Sequence, residues 1–117
     1  IMDILANNSN VGIGTTNPSE KLTVNGKVLA REVIVTNDGR MWPDYVFSPD
    51  YEMMSLAELE TYVNEHHHLP DVPSAIDVQE EGVSVGEMNA ILLQKIEEMT
   101  LRMIEMEKRI VELESIR

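Results

Sequence analysis

From position 83 to position 117 the apolar residues recur at alternating spacings of three and four. Written as heptads, Val85, Leu92, Met99, Met106 and Leu113 fall at d, while Asn89, Ile96, Met103 and Ile110 fall at a. That seam is unbroken over about four heptads, which predicts a coiled-coil helix rather than an ordinary surface helix. Ser84 and Glu87 have the spacing of a capping box at its start. The alternative is an amphipathic helix that folds back on its own chain. The preceding residues are poorly suited to cover it.

The flanks of the seam carry a charge pattern of their own. Lys95, Arg102 and Arg109 stand at g, and Glu107 and Glu114 at e. In a parallel coiled coil a g residue faces the e residue of the next heptad on a neighbouring chain. Arg102 with Glu107 and Arg109 with Glu114 are then interchain salt bridges, as a parallel homo-oligomer requires. Ile at a with Leu at d leans towards two strands, and the Met residues in the middle of the seam discriminate weakly.

Upstream the pattern changes to short alternations. Val11 to Pro18, Lys21 to Val24, Lys27 to Leu29 and Glu32 to Thr36 read as β segments. Asn25-Gly26 predicts a tight hairpin and Asn37-Asp38-Gly39 a further turn. The Gly12-x-Gly14 pair is no dinucleotide fingerprint, because no third glycine opens a helix after it. Tyr45 and Phe47 alternate as on one face of a short strand, and with Trp42 they are expected to supply most of the core outside the coiled coil. Ser55 to Glu58 is a capping box before a short helix with Leu56, Leu59 and Val63 on its inner face. That helix should end near His66 to Leu69, ahead of Pro70. Ser74 to Glu81 predicts a second short helix with Asp77 and Glu80 outward, and Gly82 its cap.

Composition narrows the function classes. The chain has 117 residues and a formal charge of −12, from 21 acidic and 9 basic side chains. Such a surface repels phosphate backbones and anionic bilayers, so neither nucleic acid nor membrane insertion is expected. No apolar run is long enough to span a bilayer, and no signal peptide is visible. The opening Ile1-Met2-Asp3 reads as the interior of a longer protein or as an artificial boundary. There are no cysteines, hence no disulfide framework. One Trp, three Tyr and one Phe cannot build a large core, so self-association is expected to supply the missing burial.

Two stretches carry a resemblance. NVGIGTTNPSEKLTVNG is similar to a segment near the C-terminal ends of phage tail fibres and related bacterial surface and secreted proteins. WPDYVFSPDYEMMSLAELETYVNEHHHLPDVPSA, followed by GVSVGEMNAILLQKIEEMTLRMIEMEKRI, resembles the C-terminal tail-fibre-type domain of Bacteroidetes proteins. The resemblance implies a fibrous α+β fold. It has a short intertwined β shaft over 1–39, a small α/β collar over 40–82, and a parallel trimeric coiled coil over 83–117. It also implies an extracellular or virion location. The implied function is trimerisation and assembly at the C-terminal end of a fibre-like protein, with non-cleaving intramolecular chaperone work on the upstream fibre segment. The partners are other copies of the chain and that upstream segment, and a cell-surface receptor or glycan if the domain is a fibre tip.

Three candidate chemistries remain. A receptor- or glycan-binding tip would use Trp42, Tyr45 and Phe47, although rings in so aromatic-poor a chain are usually needed for packing. His66-His67-His68 offers an axial metal site: three His66-x-His68 units on a threefold axis supply six imidazoles, and some phage fibre tips bind metal through such repeats, as the resemblance implies. A structural role at a helix C-terminus is the preferred reading, so no metal or other cofactor is assigned. Self-cleavage occurs in the distantly similar endosialidase chaperone domains at a Ser-Asp junction with a nearby Lys. Here the junction is Asn37-Asp38-Gly39-Arg40, and no serine has a recognisable activating base. No enzymatic activity is expected.

Overall fold

The computed structural model describes residues 9–36 and 42–116. The Asn37 to Gly39 turn and the Asn37 to Arg40 junction lie outside them. The chain divides into two compact units, Ile1–Ile34 and Val35–Arg117.

In the first unit β1 (Val11–Ile13) pairs in parallel with β2 (Leu22–Val24), with Val11 opposite Leu22, Gly12 opposite Thr23 and Ile13 opposite Val24. Parallel neighbours usually need a long crossover. Here a tight loop suffices because its polar groups are satisfied locally. Asn10 Nδ2 donates to the Pro18 carbonyl at 3.1 Å, and the Asn17 amide donates to Thr15 Oγ1 at 3.2 Å. The loop folds so closely over Gly12 that a Cβ there would lie 2.5 Å from the Thr15 carbonyl oxygen, so only glycine fits.

The hairpin expected at Asn25-Gly26 does not form. The Asn25 amide donates to Ile13 O at 2.9 Å and its side chain to Gly14 O at 3.2 Å, so this residue closes β2 onto β1. The strands expected over 27–29 and 32–36 belong to no sheet among the described residues. Val28, Leu29, Val33 and Ile34 stand exposed. Period-two alternation marks a segment able to pair but does not supply the neighbour.

The second unit begins with a 3-10 helix over Pro43–Phe47. This corrects the strand expected at Tyr45 and Phe47. Pro43 sits at the first helical position, where its fixed φ suits the turn and its missing N–H costs nothing. Pro43 and Val46 are three apart and share the inner face of the turn; they are the largest fully buried side chains. The rings are not the core: Trp42 and Phe47 are about half exposed. Tyr45 is part-buried against Tyr51, with ring centres 5.7 Å apart.

Three α-helices follow: α1 (Leu56–His66), α2 (Ala75–Glu81) and α3 (Val85–Ser115). Ser55 caps α1, accepting from the Glu58 amide at 3.1 Å. At its other end the His67 amide donates to the Val63 carbonyl at 2.8 Å, with His67 left-handed at φ 58°. Leu59 is part-buried, but Leu56 and Val63 are exposed, so the inner face expected of α1 is only partly covered. Ser74 and Asp77 form a reciprocal capping box on α2, so Asp77 is a cap rather than an idle outward charge. Gly82 ends α2. Ser84 is the N-cap of α3 but makes no side-chain cap bond, against the expected box with Glu87. Val35 approaches the first turn of α3 so closely that a Cβ on Gly86 would lie 2.7 Å from its Cγ1.

Among the described helices and strands only the 3-10 helix closely approaches the α3 backbone. The shorter α1 and α2 stand off it and leave hollows between.

Candidate functional site

The heptad positions of α3 sort cleanly by their surroundings. The collar, residues 42–82, covers one side: Ala90 and Glu97 at b, Ile91 and Glu98 at c, and Gln94 and Leu101 at f are all buried or part-buried. The opposite side is bare. Val85, Asn89, Leu92, Ile96, Met99, Met103, Met106, Ile110 and Leu113 are all exposed. From Met103 to Ile116 every residue is exposed on every face of the helix. The collar therefore occupies the face that a coiled coil leaves unused, and the seam stays exposed among the described residues, with Met99 alone of its positions also lining the hollow beside the collar.

The collar is fastened to α3 by polar groups. Tyr51 donates its phenol proton to the Glu98 carboxylate and accepts from Gln94 Nε2 at 3.0 Å. Partial burial, then the bond to Glu98, raises the Tyr51 pKa above its ordinary value, against a smaller opposing effect of Gln94. Arg102 Nη2 donates to the Met54 carbonyl at 2.7 Å. Lys95 Nζ lies 3.5 Å from Glu98 and 3.7 Å from Asp71. Two of the g cations are thus engaged inside the chain. Arg109, Glu107 and Glu114 stand exposed on the bare part of α3.

Glu97 lies directly under the 3-10 helix, only 6% exposed, with its Oε2 lacking any hydrogen-bond partner among the described residues. Desolvation chiefly, then the neighbouring Asp44 carboxylate, raises its pKa. At b and c of the heptad Glu97 and Glu98 would face solvent in a coiled coil; here Glu97 is buried and Glu98 part-buried.

A cavity of about 230 Å³ lies where α1 stands off α3. Leu59, Leu69 and Met99 line it with Tyr51, Lys95 and Arg102. Asp71, on its rim, is left-handed at φ 66° in the turn closed by the Val72 amide on the Leu69 carbonyl at 3.2 Å. No local pattern announces this hollow, because its walls come from three separate segments.

The histidines gather at the end of α1. His66 stacks on Tyr62 with ring centres 4.1 Å apart, and His68 meets the same ring edge-on at 5.7 Å. His66 Nδ1 bonds the Tyr62 carbonyl at 3.1 Å and His68 Nδ1 the Leu69 carbonyl at 2.9 Å. The helix itself ends in the left-handed His67 that lies between them. Among the described residues no three His, Cys, Asp or Glu side chains are grouped to hold a metal ion. Nor is any helix among them long and apolar enough to cross a membrane. Trp42 is the N-cap of the 3-10 helix and Phe47 its last residue, and Tyr45 stands against Tyr51. No family model, curated protein or solved structure matches the chain.

Proposed function

We propose that this chain is a self-assembly module, a parallel homotrimer held by the α3 seam at the end of an extracellular fibre-like protein. One observation carries the reading: the a and d positions of α3 are bare along its whole length, on the face opposite the collar. A long helix with half its length exposed on all sides draws little stability from propensity alone, so it requires packing on an apolar face. The flank charges favour a parallel arrangement. Antiparallel chains would set Arg102 and Arg109 against cations and Glu107 against carboxylates, whereas parallel chains oppose unlike charges. The count of three follows from the tail-fibre resemblance, since the seam by itself leans towards two. Exposed apolar residues over 28–34 fit strands that find their neighbours only after α3 has fixed stoichiometry and register. On this reading α3 also templates folding of the upstream fibre segment.

The test is solution mass by light scattering across a dilution series. Three times the chain mass, held on dilution, supports the proposal; a monomer refutes it. A second reading rests on Trp42 and Phe47, each about half exposed on the collar surface: a glycan- or receptor-binding tip. Binding to immobilised glycans that is lost in Trp42→Ala while the oligomer persists would favour it.

A further inference from the structure

We propose that the cavity between the collar and α3 is closed by a second copy of this chain, whose Glu107 joins Arg102 at its edge. This rests on the assembly reading above and adds to it a site that one chain leaves incomplete. The α3 wall of the cavity is made by Glu98 at c, Lys95 and Arg102 at g, and Met99 at d. It therefore opens along the g flank, beside the bare seam. In a parallel pair that flank receives the e residues of the neighbour one heptad on, Thr100 against Lys95 and Glu107 against Arg102.

The chemistry of the edge fits that occupant. Arg102 spends an Nη2 hydrogen on the Met54 carbonyl, and a guanidinium carries five N–H donors in one planar fork. Its remaining donors suit a carboxylate. Glu107 is exposed, with no ion pair among the described residues. The rest of the e flank, Gly86, Leu93, Thr100 and Glu114, carries no cation to oppose Lys95 or Arg102. Met99 forms both the floor of the cavity and a d position of the seam, so the neighbouring helix that covers one covers the other. Arg102 then acts as a clip: it grips the collar carbonyl in its own chain and the carboxylate of the next. Seating of the collar becomes coupled to assembly, although the seam itself contains no collar residue.

The experiment is hydrogen exchange on the intact chain, paired with solution mass, for the wild type, Glu107→Lys, Glu107→Gln and the control Glu105→Lys. Glu105 is exposed at a c position, away from the neighbour. The amides of Leu59 and Val72, bonded to the Ser55 and Leu69 carbonyls, report on the collar beside the cavity. Glu107→Lys should speed their exchange by tenfold or more and Glu107→Gln by a smaller factor, with Glu105→Lys silent, each variant being measured at a concentration at which light scattering gives it the wild-type mass. Exchange that stays at the wild-type rate in Glu107→Lys and Glu107→Gln, within an intact oligomer, overturns the cavity proposal and leaves the assembly reading standing. A monomeric wild type overturns both.

Discussion

Two isoleucines on the bare half of α3 provide an internal comparison. Ile110 is 49% exposed and Ile104 48%. They share residue type, helix and exposure, and differ in heptad position, a for Ile110 and b for Ile104. Full burial of an isoleucine is worth about 1.5–3 kcal/mol, so the half still in water in one chain represents about 0.7–1.5 kcal/mol. Three chains burying it together gain about 2–4.5 kcal/mol. The concentration at which a trimer half-dissociates follows the square root of its dissociation constant. Ile110→Ala should therefore raise that concentration by about 5- to 50-fold, and more if the seam cannot close over the gap. Ile104→Ala should leave it unchanged. Sedimentation equilibrium over a wide dilution series reads both. Equal effects of the two substitutions, or none from Ile110→Ala, would refute the seam as the self-association surface.

Three further outcomes follow from the geometry. Ser55→Ala removes a real cap and should cost about 0.5–2 kcal/mol in thermal unfolding, whereas Ser84→Ala should cost less because no side-chain bond is lost there. The raised pKa of Glu97 means its protonated form fits the fold better; its contribution is complete below the unfolded value of 4.5 and is lost as pH rises through the folded value. Glu97→Gln should consequently raise the melting temperature at neutral pH and flatten its decline above pH 4.5; an unchanged profile would count against a desolvated carboxylate. Gly12→Ala forces a Cβ to within 2.5 Å of the Thr15 carbonyl, and it should abolish exchange protection of the Val11 and Asn25 amides while sparing α3.

The parts of the fold that sequence announces are those set by neighbours in the chain. Ser55, Ser74 and Gly82 mark helix ends because caps act within one turn, and the long α3 declares itself through a sustained period. Tyr45 and Phe47 misled because alternation is a two-residue signal, while the spacing of three between Pro43 and Val46, which the 3-10 helix uses, is too short a pattern to stand out. Glu97 was illegible for a different reason. At b it belongs on the solvent side of a coiled coil, and only the docking of the 3-10 helix on that side buries it. The seam could be read residue by residue; the cavity could not, since Leu59, Leu69 and Arg102 meet only after the chain has turned back twice.

The methionines at the centre of the seam give it a chemical vulnerability. Met99, Met103 and Met106 are 58%, 66% and 53% exposed in the single chain. A thioether open to solvent takes up oxygen readily, and the sulfoxide is polar and chiral, unfit for an apolar interface. Packing between chains would shield the same sulfurs. Oxidative damage would then act as a sorting step: chains oxidised while still single are barred from assembling, and chains already assembled are protected. The age at which a chain finds its partners, more than the affinity it finds them with, would decide whether it survives an oxidising environment.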